Sequence, residues 1–250
     1  MLILSFDVLV RVFLFGALGA SLMKDYVDKF EPLFVDVASA LQAPTGEGLY
    51  ARGGKRVFDL VLAVLLLPLI APAVAALWLL VRRDGGPGFF GHKRIGHNGQ
   101  EFKCWKIRTM VMGAEERLHA YLTSNPVAAA EWARDHKLTN DPRITRFGNF
   151  LRKTSLDELP QIWNVLKGEM SFVGPRPIVR AELPKYGVAA GAYLSQKPGI
   201  TGLWQVSGRN DVSYTERVTM DVDYSLRGSL VFDIELIVRT GVSVLGGTGR

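Results

Sequence analysis

The sequence from Arg152 to Pro177 reads RKTSLDELPQIWNVLKGEMSFVGPRP and concentrates opposite charges within a short length of chain. Two adjacent carboxylates, Asp157 and Glu158, lie between a basic start and a Gly-Pro-Arg-Pro turn that contains Arg176. Guanidinium groups bind phosphate oxygens through paired hydrogen bonds. The arginines on both sides, Arg152 and Arg176, therefore favour a ligand that carries phosphate.

The same carboxylates have a purely structural alternative. Ser155 followed by Glu158 matches a capping box, and acidic residues in a first helical turn stabilise the positive end of the helix dipole. Neighbouring residues on a helix point about 100° apart, so Asp157 and Glu158 cannot act on one ligand from the same direction. Both functions are compatible, because one carboxylate can attack or bind metal while the other caps, orients or moves a proton.

The composition of the chain narrows the class of protein. Its 250 residues are enough for one domain with a substantial core. The net charge of +6 and the sequence pI of about 9.5 suit anionic lipid or phosphate-bearing substrates. Nucleic acid is not a predicted partner, because the chain has no recognised binding motif and no basic run interleaved with aromatics. Cys104 is the single cysteine, and its predicted role is that of a small buried apolar side chain.

A long apolar stretch precedes the charged one. No charged residue occurs from Leu60 to Val81, and a straight helix of this length would extend about 33 Å, enough to span a bilayer. Pro68 and Pro72 interrupt the stretch, and basic pairs flank it, which favours placing both ends on the cytoplasmic side. A spanning helix and a re-entrant helix that bends at the prolines are both compatible with this pattern.

The chain before this stretch is predicted to be a separate segment. Residues 1–23 are apolar but lack a basic start and a small-residue cleavage site, so we expect an interfacial or marginal membrane helix, or a start assigned too early, rather than a cleaved signal peptide. Residues 24–54 are interpreted as a linker because they are interrupted by proline and glycine. The predicted organisation is an N-terminal apolar segment and linker (1–54), a membrane helix (55–83) and a cytoplasmic domain (84–250).

Further candidate binding residues lie on both sides of the charged stretch. The glycine-rich loop from Asp84 to Gly99 contains Arg94 and suits a phosphate cradle, although such loops also form ordinary β-turns. Residues 100–108 alternate in polarity, which predicts a short strand. Downstream, Trp204 either stacks on a uracil ring or fills the core. The amphipathic stretch 230–245 lies on the membrane surface or packs on the domain.

Three motifs in a fixed order carry a resemblance to a known family. GHKRIGHNGQEFKCWKIRTM, SLDELPQIWNVLKGEMSFVGPRP and KPGITGLWQVSGRNDVSY resemble the bacterial sugar transferases, monotopic phosphoglycosyl transferases that start polysaccharide assembly on a membrane polyprenol. The similarity covers roughly Lys55 to Thr240. Within the family it is greatest to the undecaprenyl-phosphate galactose phosphotransferases of exopolysaccharide biosynthesis.

The resemblance implies an activity and a set of site residues. Galactose or glucose 1-phosphate would pass from a UDP-sugar to polyprenyl (undecaprenyl) phosphate with release of UMP. Asp157 would be the nucleophile that forms a phosphosugar-enzyme intermediate, with Mg²⁺ beside it and Glu158 as its partner. Phosphate contacts would come from Arg94, Lys106, Arg108, Arg152 and Arg176, and nucleotide contacts from Trp204 and Arg209. The alternative for Lys106 and Arg108 is an exposed basic strand edge.

The predicted fold class is a helix-dominated α/β domain, compact and membrane-associated, with an N-terminal re-entrant helix broken at Pro68 and Pro72. Its expected location is the cytoplasmic face of the bacterial inner membrane, with membrane lipid and downstream glycosyltransferases as further partners. Two rival functions remain, a non-catalytic membrane-anchored protein that binds anionic lipid and a glycoside hydrolase. A hydrolase places its two carboxylates about 5–9.5 Å apart on separate elements, which adjacent residues do not naturally provide.

Overall fold

The computed structural model describes residues 49–135, 138–207 and 212–245, so the predictions for residues 1–48 lie outside it. The described residues all belong to one compact unit, residues 45–250. They are mostly helical and include two small two-stranded sheets, which confirms the predicted helix-dominated class.

A single long helix, α1 (Lys55–Val81), follows a π-helical turn (Tyr50–Gly54). It is long and apolar enough to cross a membrane. Pro68 and Pro72 lie inside α1 and neither ends it, so the prediction of a break in the helix at these residues is wrong. A proline removes one helical hydrogen bond and thereby bends a helix without having to end it. A re-entrant path stays a prediction.

Strands β1 (Phe89–Ile95) and β2 (Glu101–Ile107) form an antiparallel hairpin. The predicted strand is confirmed, since Cys104 is buried and the adjacent Lys103 is exposed, as alternation requires. Lys106 shares the face of Cys104, because residues two apart on a strand point to the same side. The hairpin thus anchors one face in the core and carries a basic side chain on the same face.

Helices and two short strands make up most of the described residues after the hairpin. Residues 114–137 are rich in alanine and charged side chains, which predicts a helix broken at Asn125 and Pro126. The break is confirmed, because the first helix ends at Ser124 and the second begins at Pro126. In chain order the remaining elements are α2 (Ala114–Ser124), α3 (Pro126–Asp135), α4 (Arg146–Lys153), a 3-10 turn (Leu156–Glu158), α5 (Gln161–Lys167), β3 (Ser171–Val173), a 3-10 helix (Arg180–Ala189), α6 (Ala190–Leu194), β4 (Gly199–Thr201), α7 (Leu203–Ser207), α8 (Tyr214–Arg227) and α9 (Leu230–Leu245).

A buried asparagine joins α5 to the hairpin. Asn164 accepts a hydrogen bond from the Trp105 amide (3.1 Å) and donates one to the Lys103 carbonyl (2.7 Å). Its side-chain amide thereby mimics another strand along β2. Because unpaired buried backbone groups are costly, these bonds fix the position of α5 along β2. They also set the distance between β2 and the 3-10 turn that precedes α5.

The parallel pair β3 and β4 holds the Gly-Pro-Arg-Pro turn in place. The Gly174 amide donates to the Thr201 carbonyl (2.9 Å), and the Gly199 amide donates to the Pro175 carbonyl (2.8 Å). A Cβ atom on Gly174 would lie 2.4 Å from the Lys197 carbonyl oxygen, too close for any larger residue. The turn therefore leaves β3 in a direction that only glycine permits at this position.

The first turns of α1 are bonded to the domain. Arg56 donates to the carbonyls of Val165 and Leu166 at the end of α5. Asp59 is buried and accepts from the Ser171 hydroxyl (2.9 Å) and the Phe172 amide (3.0 Å). These contacts pack the N-terminal part of α1 against α5 and β3.

The last helix, α9, has two apolar faces. Phe232 and Leu236 are buried in the core, and Asp233 forms an ion pair with Lys55 of α1 (2.5 Å). The opposite face is apolar and exposed, and consists of Leu230, Val231, Ile234, Val238 and Val242. Both predicted placements of this stretch are therefore compatible with its structure, because one face packs on the domain and the other is free to contact lipid.

Candidate active site

The two carboxylates lie on a single 3-10 turn rather than in the first turn of an α-helix. Ser155 before them has a left-handed backbone (φ 57°), and its side chain makes no capping hydrogen bond. The capping-box prediction is therefore wrong, because α5 begins only at Gln161. Asp157 is buried with 6% of its surface exposed, although it caps no helix.

Lys106 extends from β2 to both carboxylates. Its Nζ lies 2.6 Å from Glu158 Oε1, a charged hydrogen bond, and 4.0 Å from Asp157 Oδ2, which is too far for one. Glu158 and Lys106 thus form the tight pair. The ammonium group of Lys106 still acts electrostatically on Asp157, but it forms no hydrogen bond with the Asp157 oxygens.

The two carboxyl groups differ in electrostatics as well as in contacts. Burial raises the pKa of Asp157, and the Glu158 charge raises it further against the opposing effect of Lys106. Burial also acts to raise the pKa of Glu158, but Lys106 and Arg176 outweigh it and hold that pKa below its ordinary value. Glu158 is therefore a stable anion that orients Lys106, and Asp157 is a poorly solvated, more basic carboxylate suited to attack.

Arg152 approaches Asp157 from helix α4. Its Nε donates to the Thr109 hydroxyl (2.9 Å), and its charge opposes the rise in the Asp157 pKa. Helix α4 packs on the backbone of Thr109, just after β2, and only glycine fits at position 148, since a Cβ atom there would lie 2.0 Å from the Thr109 carbonyl oxygen. Glycine at 148 thus lets Arg152 bond Thr109 at a position from which its charge acts on Asp157.

Arg176 and Arg94 complete the basic surroundings. Arg176 is exposed at the tip of the Gly-Pro-Arg-Pro turn and acts electrostatically on Glu158. Arg94 on β1 donates to the Pro177 carbonyl (3.1 Å), so it supports the turn from behind. The structure brings together Asp157, Glu158, Lys106, Arg152 and Arg176, with Arg94 holding the turn.

Arg108 does not join this cluster. Its buried guanidinium donates to the Pro87 carbonyl (2.6 Å), the Met110 carbonyl (2.8 Å) and Asp84 (2.5 Å). It also donates to the Val81 carbonyl (3.3 Å) at the end of α1. Its predicted contact with phosphate is therefore corrected to a structural role, since these bonds hold the end of α1 against the hairpin.

Of the two predicted nucleotide contacts, the structure describes Trp204 but not Arg209. Trp204 has 6% of its surface exposed, too little to offer a face to a base, so its stacking role is corrected to core packing. Its ring centre lies 5.7 Å from the Arg176 guanidinium and 4.6 Å from that of Arg217, in the range of cation–π contacts. Trp204 thus positions Arg176. Arg209 lies outside the described residues.

Sequence reasoning missed two residues that support the site. Thr109 fixes Arg152, and the buried Gln161 hydrogen-bonds Glu158. Gln161 lies three residues after Glu158, a spacing that places side chains on one side of a tight helix. That spacing was the available signal. Thr109 had none beyond its place in the KIRTM motif.

The residues around Asp157 fit Mg²⁺ only if substrate phosphates and water supply most of its ligands. Among residues 49–135, 138–207 and 212–245, no group of three or more Asp, Glu, His or Cys side chains could hold a metal ion. Mg²⁺ is commonly bound through one or two carboxylates and completes its shell with waters and substrate phosphates. Asp157 suits such a site together with a diphosphate, since its oxygens are not in the Lys106 hydrogen bond.

Comparison with known proteins gives the site its context. The chain is 55% identical over 186 residues to the UDP-galactose-lipid carrier transferase of Erwinia amylovora, covering 74% of this chain and 39% of that protein. It is 52% identical over 195 residues to the undecaprenyl-phosphate galactose phosphotransferase of Salmonella typhimurium, covering 78% and 41%. It is 51% identical over 187 residues to the exopolysaccharide production protein ExoY of Sinorhizobium fredii, covering 74% and 83%.

The chain thus spans about two fifths of the length of the first two relatives and most of the third. The model of the family described as bacterial sugar transferase matches residues 50–247. That match contains α1, the hairpin, the carboxylate turn and the Gly-Pro-Arg-Pro turn. The chain belongs to the bacterial sugar transferase family.

Proposed function

We propose that the protein transfers a hexose 1-phosphate from a UDP-sugar to polyprenyl phosphate and releases UMP. The observation that carries this proposal is the buried Asp157 carboxylate, which lies near Lys106 and Arg152 and is not in a tight ion pair, while Arg176 acts on the adjacent Glu158. The names of the relatives from Erwinia and Salmonella support the substrate class and favour galactose.

The proposed reaction has two displacements at one phosphorus. An Asp157 oxygen attacks the sugar-linked phosphorus of the UDP-sugar, and the bond from that phosphorus to the bridging oxygen breaks, so UMP leaves with both electrons. The sugar phosphate is then held on the enzyme as an acyl phosphate. A phosphate oxygen of the polyprenyl phosphate next attacks the same phosphorus, Asp157 leaves as a carboxylate, and a polyprenyl diphosphate sugar is formed.

The surrounding residues have separate parts in this scheme. Arg176 and Arg152 neutralise charge on the phosphoryl oxygens, which matters most where that charge grows in the transition state. Glu158 holds Lys106 so that its ammonium faces the attacking carboxylate. When bound, Mg²⁺ would add charge neutralisation at the diphosphate.

The rival functions explain less of the site. A lipid-binding protein has no use for a buried carboxylate among cations, because burial of such a charge is costly. In a glycoside hydrolase the two carboxyl groups lie on opposite sides of the scissile bond, whereas Asp157 and Glu158 are adjacent residues of one 3-10 turn.

The test is a panel of UDP-sugars offered to the purified protein with undecaprenyl phosphate and Mg²⁺. We expect release of UMP and a lipid-linked diphosphate sugar, with UDP-galactose used in preference to UDP-glucose. Release of UDP, release of free sugar or binding of lipid without turnover would each refute the proposed reaction.

We also propose that α1 is re-entrant and that the catalytic part lies on the cytoplasmic face of the inner membrane. Both ends of α1 are bonded to the same domain, through Arg56 to α5 and through Arg108 to Val81. A 27-residue helix is about 40 Å long, longer than the hydrocarbon core of about 30 Å. If α1 crossed the bilayer, the domain would have to reach both surfaces.

This topology predicts the accessibility of both ends of α1. Single cysteines in place of the exposed Arg52 and Arg83, in a Cys104→Ala background, should both react with a membrane-impermeant maleimide in inverted vesicles and neither in intact cells. Replacing both Pro68 and Pro72 by Ala should increase the population that spans. Reaction of one end in intact cells of the otherwise unaltered protein would rule out re-entry.

A further inference from the structure

An apolar cleft of about 610 Å³ separates the middle of α1 from the hairpin and α5. Its lining consists of apolar and aromatic side chains. On α1, Ala71, Ala75 and Trp78 face it at the spacing of one helical face. Across the cleft lie Trp105 and Trp163.

The cleft is a consequence of how α1 is held. Its first turns are bonded to α5 by Arg56 and its last turn to Arg108 just after β2, while Ala71 and Ala75 leave room on the face between these points. Trp163 is 58% exposed. An exposed apolar surface of this kind marks a site for an apolar ligand or for the membrane.

The cleft is adjacent to the active site along two elements. Trp105 directly precedes Lys106 on β2, and Pro160, which lines the cleft, lies two residues after Glu158. One end of the region is therefore apolar and aromatic, and the other carries Lys106, Arg152 and Arg176. This arrangement complements an amphiphile that has one apolar tail and a phosphate head.

We propose that this cleft binds the isoprene units nearest the phosphate of the polyprenyl phosphate acceptor, an inference that rests on the function proposed above. Successive strand residues face opposite sides, so Trp105 and Lys106 point to the two sides of β2. The isoprene tail would lie beside Trp105 and the phosphate near Lys106, and the lipid would pass from one side to the other at Pro160. A volume of 610 Å³ lies within the range of about 300–1,000 Å³ of small-molecule sites. It suits a single chain better than the paired tails of a phospholipid.

The proposal is tested by narrowing the cleft and comparing acceptors of different length. Ala71→Phe and Ala75→Phe place a ring in the cleft, and Ala76→Phe places the same ring at an exposed position of α1 outside the lining. The intact protein is assayed in vesicles with undecaprenyl phosphate and with ethyl phosphate, which carries the phosphate head without an isoprene unit. Lipid-free UMP release, which needs no acceptor, measures the amount of folded enzyme in each preparation.

We expect Ala71→Phe and Ala75→Phe to lower the ratio of kcat/KM for undecaprenyl phosphate over ethyl phosphate by about tenfold or more, through the KM for the lipid, and Ala76→Phe to leave it unchanged. An unchanged ratio in the cleft variants, or an equal change in all three, would overturn the proposal. Absence of lipid-free UMP release from the unaltered protein would instead refute the proposed function.

A second measurement does not depend on turnover. Trp163 is replaced by the photoreactive p-benzoylphenylalanine, and Leu69, which is 75% exposed, serves as the control position. In vesicles that contain a small fraction of undecaprenyl phosphate, the adduct at 163 should be enriched in polyprenyl chains relative to the adduct at 69. Equal labelling in proportion to bulk phospholipid would show that ordinary acyl chains fill the cleft, against the proposal.

Discussion

Asp157→Asn is expected to lower the rate of sugar-phosphate transfer by about 10⁴-fold or more. The amide has nearly the same shape as the carboxylate but lacks an anionic oxygen that can form the acyl phosphate or meet Mg²⁺. Without lipid, the unaltered protein should release UMP and gain the mass of a hexose phosphate, and the variant should do neither.

The fold should survive this change. Asp157 caps no helix, and Ser155 before it makes no capping bond. Asn also removes the cost of burying a charge, so the free energy of unfolding should change by about 1 kcal/mol or less. Thermal unfolding in detergent measures this change separately from activity.

Asp223→Asn is the matched control, because Asp223 forms an exposed ion pair with Arg227 on α8, away from the carboxylate turn in sequence. This variant should keep full activity. If Asp157→Asn still acquires the hexose phosphate, Asp157 is not the nucleophile.

Lys106→Met should lower kcat by about 10²–10³-fold, the usual effect of removing one preorganised charged donor. Methionine keeps most of the length and apolar stem of the side chain. The loss would come from two sources, since Glu158 would have no cation at 2.6 Å and Asp157 would face its charge without Lys106.

The same variant should change the dependence of rate on pH. Only ionised Asp157 can attack, so the rate rises as pH passes through the Asp157 pKa. Lys106 lowers that pKa against the effect of burial, and its removal should therefore move the acid limb of the profile to higher pH. Single-turnover UMP release across pH provides the measurement.

Two variants separate charge from bulk. Lys106→Arg keeps the charge and should restore part of the rate and the original acid limb. Lys103→Met changes an exposed lysine on the opposite face of β2 and should have little effect. A Lys106→Met enzyme with a normal profile would show that Lys106 does not act on Asp157.

Local sequence was enough for those features that depend on neighbouring residues. Alternation predicted β2, and Asn125 and Pro126 marked the boundary between α2 and α3, because strand pleating and the missing proline N–H act over a few residues. The motif from Arg152 to Pro177 similarly identified both carboxylates and two of the arginines near them.

Predictions from local sequence patterns were wrong at two places where another backbone conformation was also possible. Ser155 and Glu158 have the spacing of a capping box, yet Ser155 adopts a left-handed backbone and the turn closes as a 3-10 helix before Pro160. Pro68 and Pro72 were expected to break α1. The helix continues, because each proline removes one hydrogen bond while the turns on both sides keep theirs.

Only the tertiary structure decided which charges meet. Lys106 lies on β2 and Arg108 directly follows it, and both were predicted to contact phosphate. In the fold, Lys106 pairs with Glu158 while Arg108 holds the end of α1. From the sequence, Trp204 could stack on a nucleotide base or fill the core. In the structure it is buried beside Arg176 and Arg217, so it fills the core. The sequence alone determined that acid, base and apolar helix are present in this chain. The distances between these groups depend on contacts between residues far apart in sequence, which no local pattern encodes. Those contacts leave Asp157 without a hydrogen bond to Lys106 and pair Glu158 with it.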